Sequence, residues 1–110
     1  MGISMNQKQC AKVLKALADD TRLKILEFLF KGEYSVSEIA CSTDIDYSHV
    51  SHHLGVLRNA GIVLDNKDGK FVMYKLHPDF RSEKTNVLDF SCCSIEFSDV
   101  NLVGNIRNKL

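Results

Sequence analysis

One stretch, Asp46 to Gly61, reads as a helix with both ends marked. The carboxylate of Asp46 can accept from the free amides of a first helical turn. Gly61 can take the left-handed conformation that closes a helix without a Cβ clash. Between them Val50, Leu54 and Leu57 fall at i, i+4 and i+7 and form one apolar stripe. At about 100° per residue, the opposite side carries Ser48, His52, Gly55 and Asn59, flanked by Ser51 and Arg58. These are short hydrogen-bonding side chains with one cation and no acid after the cap. Such a face can lie in a DNA major groove and meet base edges and phosphates. A merely solvated helix face would carry similar residues, so the flanking chain must decide.

Upstream, residues 6–18 read as a helix with Val13, Leu14, Leu17 and Ala18 on one side. Asp19 can cap a second helix whose first turn, Asp20-Thr21-Arg22, places acid at the positive end of the dipole. Leu23, Ile25, Leu26, Leu29 and Phe30 make that helix apolar over more than half its surface, as a core helix requires, and Lys31-Gly32 ends it. Ser35-Val36-Ser37-Glu38 fits a capping box. The short helix it opens turns Val36, Ile39 and Ala40 inward, and Thr43-Asp44-Ile45 is a tight turn into the helix at 47–60. Two helices joined this closely make a helix-turn-helix. Downstream, Ile62–Asp65 and Lys70–Leu76 are strand-like around a turn at Asn66-Lys67-Asp68-Gly69. The product is a β-hairpin wing with Lys67 and Lys70 at its tip. Lysines suit any solvated hairpin tip, but beside the preceding helix they favour a DNA contact.

Charge bears on that reading. The chain has 14 Lys and Arg against 14 Asp and Glu, so it is no generic polyanion binder and needs charge arranged locally. Residues 47–76 carry Arg58, Lys67, Lys70 and Lys75 against Asp65 and Asp68, a surplus of two, together with three histidines. Two subunits would double it. The 110 residues suit one domain with a modest core, and neither an 18-residue apolar run nor a signal-peptide core is present. We therefore expect a cytoplasmic protein with no membrane partner.

Three blocks carry a family resemblance. Leu17-Ala18-Asp19-Asp20-Thr21-Arg22-Leu23-Lys24-Ile25-Leu26 is the first. Val50-Ser51-His52-His53-Leu54 with Leu57-Arg58 and Ala60-Gly61 is the second, and Val72-Met73-Tyr74-Lys75-Leu76 is the third. In that order and spacing, over roughly residues 10–77, they resemble the ArsR/SmtB family of winged-helix transcriptional repressors. The resemblance implies a homodimer that binds double-stranded operator DNA and releases it when a ligand binds. It implies DNA contacts from Tyr47, Ser48, His49, Ser51, His52 and Arg58, and from Lys67 and Lys70 at the minor groove or backbone. Many metal-sensing members carry Cys-x-Cys at the start of the helix before the recognition helix. Ser35 and Ser37 stand there instead, and hydroxyls are poor ligands for soft ions. Asp20 replaces a proline common in the family, which is harmless at a first helical position.

The tail departs further. Family members usually follow the wing with a long helix packed on the partner subunit, whereas Val87–Phe97 reads better as a strand than as a helix. As a strand it carries Leu88, Phe90 and Cys92 on one face and Cys93, Ile95 and Phe97 on the other. Ser98-Asp99 can cap a last helix bearing Leu102, Val103, Ile106 and Leu110. So much apolar surface at the end of the chain suggests a dimer interface.

Four cysteines stand at 10, 41, 92 and 93, without zinc spacing, and in a reducing cytoplasm are expected as thiols. Adjacent Cys92 and Cys93 rarely bridge each other but can clamp trivalent arsenic or a soft transition-metal ion, with Cys10 as a third donor. Some arsenic-responsive relatives have a similar arrangement. Alternatively the pair is dimer core or a redox switch. Cys41 is expected to be buried packing. His53 is expected partly buried and hydrogen-bonded, while His52 faces the groove.

The sequence therefore predicts an α+β, mainly α winged helix-turn-helix in a single domain, 1–110. Its core is 1–86 with a two-stranded wing at about 62–76, and 87–110 is an atypical strand/helix tail for dimerisation or sensing. The expected function is a homodimeric repressor, derepressed by a thiophilic metal, metalloid or oxidant at the tail cysteines, with no obligatory cofactor. Alternatives are a regulator with no metal inducer, a winged-helix module used for protein contacts only, and a thiol redox enzyme. The last is disfavoured because Asp89 and Glu96 oppose a reactive thiolate.

Overall fold

The helix boundaries follow their caps. The computed structural model describes residues 5–84 and 86–97. Helix α1 (Gln7–Leu17) starts at Asn6, whose side chain accepts from the Gln9 amide while the Gln9 side chain accepts from the Asn6 amide. In α2 (Asp20–Leu29) the Asp19 carboxylate accepts from the Arg22 amide at 3.0 Å. Helix α3 (Val36–Thr43) carries the reciprocal box between Ser35 and Glu38. Asp44, left-handed at φ 58° and ψ 39°, turns the chain into α4 (Tyr47–Asn59). Gly61, at φ 79°, closes α4: its amide donates to the Arg58 carbonyl and the Ile62 amide donates to Leu57, the two bonds of a Schellman ending.

The core lies where these helices meet. Ile25, Leu26 and Leu29 of α2 are fully buried at its centre. Val13 and Leu17 of α1, Ile39 of α3 and the Val50, Leu54 and Leu57 stripe of α4 close around them. Each large aliphatic side chain buried this way contributes about 1.5–3 kcal/mol.

The antiparallel wing sheet has the order β1-β3-β2, from β1 (Tyr34–Ser35), β2 (Val63–Asp68) and β3 (Phe71–Leu76). Two features differ from expectation. The two-residue β1, hidden in sequence by the cap of α3, pairs Tyr34 with Tyr74 and Ser35 with Met73. The wing turn also lies further along than expected. Asn66, Lys67 and Asp68 continue β2, opposite Met73, Val72 and Phe71, and only Gly69 and Lys70 form the turn. Gly69 at φ 63° permits so tight a connection. Lys67 thus sits within a strand, and only Lys70 stands at the tip.

The tail folds back on the core. A 3₁₀ turn at Pro78–Phe80 follows the wing and buries Phe80. The single strand expected over 87–97 is instead a hairpin, β4 (Val87–Asp89) paired with β5 (Ser94–Glu96). Its turn is Ser91-Cys92, with Ser91 at φ 74° and the Phe90 amide donating to the Cys93 carbonyl at 2.8 Å. Leu88 and Phe90 are fully buried, and the Phe90 ring lies 4.8 Å from that of Phe80. These side chains, expected uncovered at a subunit interface, are covered by the chain itself. The expected helix with Leu102, Val103, Ile106 and Leu110 lies outside the described residues. Among the described residues no helix is long and apolar enough to cross a membrane.

Candidate nucleic-acid interface

Burial of its stripe fixes which way α4 faces. With Val50, Leu54 and Leu57 inside, Tyr47, Ser48, His49, Ser51, His52, Arg58 and Asn59 are all exposed, and Tyr47 stands out at 57%. The Asp46 carboxylate accepts from both the hydroxyl and the amide of Ser48. These bonds, the hydroxyl's first, hold its pKa below the usual carboxylate value. Asp46 is therefore a charged cap, and Ser48 is turned back toward it. Ser51 and His52 are exposed one residue apart on the free side.

Arg58 at the far end of α4 donates to Asp65 of β2 at 3.0 Å. The pair ties the end of α4 to the wing and takes up part of the guanidinium's donor capacity. Lys67 and Lys70 are both exposed, one in β2 and one in the wing turn. The expected residues are thus all exposed, but they spread over the unburied surface of α4, with Tyr47 and His49 on opposite flanks, and over the adjoining wing.

Sequence reasoning missed Arg22, which positions α4. Its Nε donates to the Ala16 carbonyl at 2.6 Å, its side chain lies 3.8 Å from Asp19, and its guanidinium meets His53 Nδ1 at 3.1 Å. An arginine only donates, so Nδ1 of His53 is bare and the ring is neutral with its proton on Nε2. Burial lowers the His53 pKa below 6.5, Arg22, His52 and His49 lower it further, and Asp19 opposes them. One side chain thereby joins the end of α1, the start of α2 and the middle of α4. The partners are 31 residues apart, so no local pattern announces the contact.

The cysteines differ from expectation. Cys10 of α1 and Cys92 of the tail turn form a disulfide across a sequence separation of 82, where four thiols were expected. Folding the hairpin onto the core brings their Cα atoms to 6.2 Å, within bonding range. Cys93 packs partly buried against the core, and burial, then Asp89, raises its thiol pKa. Cys41 is exposed rather than buried. Among the described residues no group of three or more His, Cys, Asp or Glu is placed to hold a metal ion. Of the three cysteines expected as soft-ion donors, Cys10 and Cys92 are bonded to each other and Cys93 packs partly buried against the core.

Comparison with known proteins adds an independent line. Residues 19–64 match the family described as bacterial regulatory protein, arsR family. The arsenical resistance operon repressor of Escherichia coli is 37% identical over 71% of this chain and 68% of that protein. The arsenic resistance transcriptional regulator ArsR1 of Pseudomonas putida is 40% identical over 61% of this chain, a span of only 53% of that protein. The solution structure of a homodimeric winged helix-turn-helix DNA-binding domain from Mycobacterium bovis is similar at 33% identity and a TM-score of 0.61, covering 69% of this chain and 75% of that one.

Proposed function

Because the chain belongs to the arsR family of bacterial regulatory proteins, we propose that it is a homodimeric transcriptional repressor that seats α4 in the major groove of its operator. The observation that carries this reading is the exposed, acid-free side of α4 opposite a stripe buried to 0% exposure, with the wing lysines beside it. Ser51 and His52 are the base-reading candidates, Tyr47 and His49 reach the groove walls, and Arg58, Lys67 and Lys70 meet phosphates. In a two-fold dimer the paired helices would enter half-sites about one helical turn apart. The test is binding of the dithiothreitol-reduced protein to a duplex spanning the promoter region of its own gene, for wild type, Ser51→Ala and His52→Ala. Each substitution should weaken binding about five- to hundredfold. Unchanged affinity in both would contradict the reading.

The regulatory part of the proposal is thiol–disulfide chemistry at Cys10 and Cys92. Oxidation joins the two thiols, with two electrons and two protons passing to the oxidant. The bond fixes α1 to the tail turn, and α1 packs on both α2 and α4, so its state can bias the helix that reads DNA. The cysteine arrangement supports this over a metal or metalloid inducer, since the donor set offers two thiols together and a third turned away. Release of the duplex by a mild oxidant, reversed by dithiothreitol and absent in Cys92→Ser, is the expected result. Release by arsenite or zinc from the reduced protein instead would point to a soft-ion inducer.

A further inference from the structure

We propose that Gly55 is a positioning residue at the point where the backbone of α4 comes closest to DNA; the inference rests on the DNA-binding reading above. Gly55 lies in the interior of α4, eight residues after its start, where glycine is the least favourable residue after proline. The other described glycines have a conformational reason, with φ of 152° at Gly32, 79° at Gly61 and 63° at Gly69. Gly55 has none, since its φ is the negative one of an ordinary helix residue. Nor does packing require it, because a Cβ built there would have no atom within 4 Å. The free chain therefore has room for a Cβ and would gain helix stability from alanine.

The benefit of the missing side chain has to come from something the folded chain meets. The position says what. Gly55 shares the side of α4 that carries Ser48, His52 and Asn59, about one turn beyond Ser51 and His52. A bare backbone there lets the helix axis sink by the depth of a methyl group. That depth brings the short side chains of Ser51 and His52 within reach of base edges. Long side chains could bridge a shallower seat, but serine cannot.

The experiment compares wild type, Gly55→Ala and Gly55→Leu as full-length proteins on the promoter duplex, alongside thermal melts and sedimentation. Alanine is the strongest helix former, so Gly55→Ala should melt higher, by roughly 4 °C or more. Affinity should nevertheless fall, about tenfold for alanine and more for leucine, because added carbons displace the helix from its seat. A merely structural glycine cannot give higher stability with weaker binding. Variants that melt higher and bind as wild type does would overturn the inference alone. So would variants that lose dimerisation in sedimentation, which would put a subunit rather than DNA against Gly55. A wild-type protein that ignores the duplex even when reduced by dithiothreitol would overturn the DNA reading and this inference with it.

Discussion

Reducing the Cys10–Cys92 bond should cost the protein a large share of its stability. The bond closes a loop over a sequence separation of 82, nearly the whole described chain. Loop-closure entropy removed from the unfolded state then amounts to about 4.5 kcal/mol at 25 °C, and measured disulfides commonly return about 2–4 kcal/mol of such a figure. Against a typical domain stability of about 5–15 kcal/mol, that loss moves the denaturation midpoint visibly. For a domain of this size it lowers Tm by roughly 10–20 °C. Urea denaturation followed by circular dichroism, with and without dithiothreitol, reads it directly. Cys10→Ser, Cys92→Ser and the double variant should fall to the same stability and show no further response to reductant. Thiol titration of the unreduced, denatured protein should count only Cys41 and Cys93. Four titrating thiols, with a melt indifferent to reductant, would refute the reasoning.

Three further outcomes follow from particular contacts. His53 titrates below 6.5 in the folded protein, so between its folded pKa and 6.5 the unfolded state binds more protons. Stability should therefore fall as pH drops through that window, and His53→Asn, which keeps an acceptor for Arg22, should flatten the fall in pH-dependent melts. Asp65→Asn should cost little stability, since the partly exposed Arg58–Asp65 pair is worth at most about 1 kcal/mol. By freeing the Arg58 cation it should raise DNA affinity and steepen the salt dependence by about one counterion, so an unchanged salt slope would place Arg58 away from phosphate. Phe90→Ala should destabilise by about 3–5 kcal/mol in chemical denaturation, because its ring is fully buried against Phe80. A loss under 1 kcal/mol would mean that the tail hairpin is not part of the core.

Where chemistry is local, the sequence is easily read. Asp19, Ser35 with Glu38, Asp46 and Gly61 act on amides or carbonyls a few residues away, and each marks a boundary where expected. The wing turn is misread because Asn66 and Asp68 are turn-forming types placed in an exposed strand, where pairing with β3 rather than burial holds them extended. The tail hairpin is hidden for the opposite reason. Its turn uses Ser91 at positive φ, a residue that gives no such signal, amid apolar neighbours that read as one continuous strand. Arg22 with His53, and Cys10 with Cys92, depend on contacts 31 and 82 residues apart, which only the folded core creates. The polar face of α4 is legible as a face, but Gly55 acquires meaning only once the space around it is known.

The central claim is that α4 reads a two-fold operator. Footprinting of the promoter duplex by the reduced wild-type protein and reduced His52→Ala tests it most directly. The account predicts two protected patches about one helical turn apart for wild type, fading at the same concentration in the His52 variant. Uniform protection without register, or identical footprints from both proteins, would contradict it.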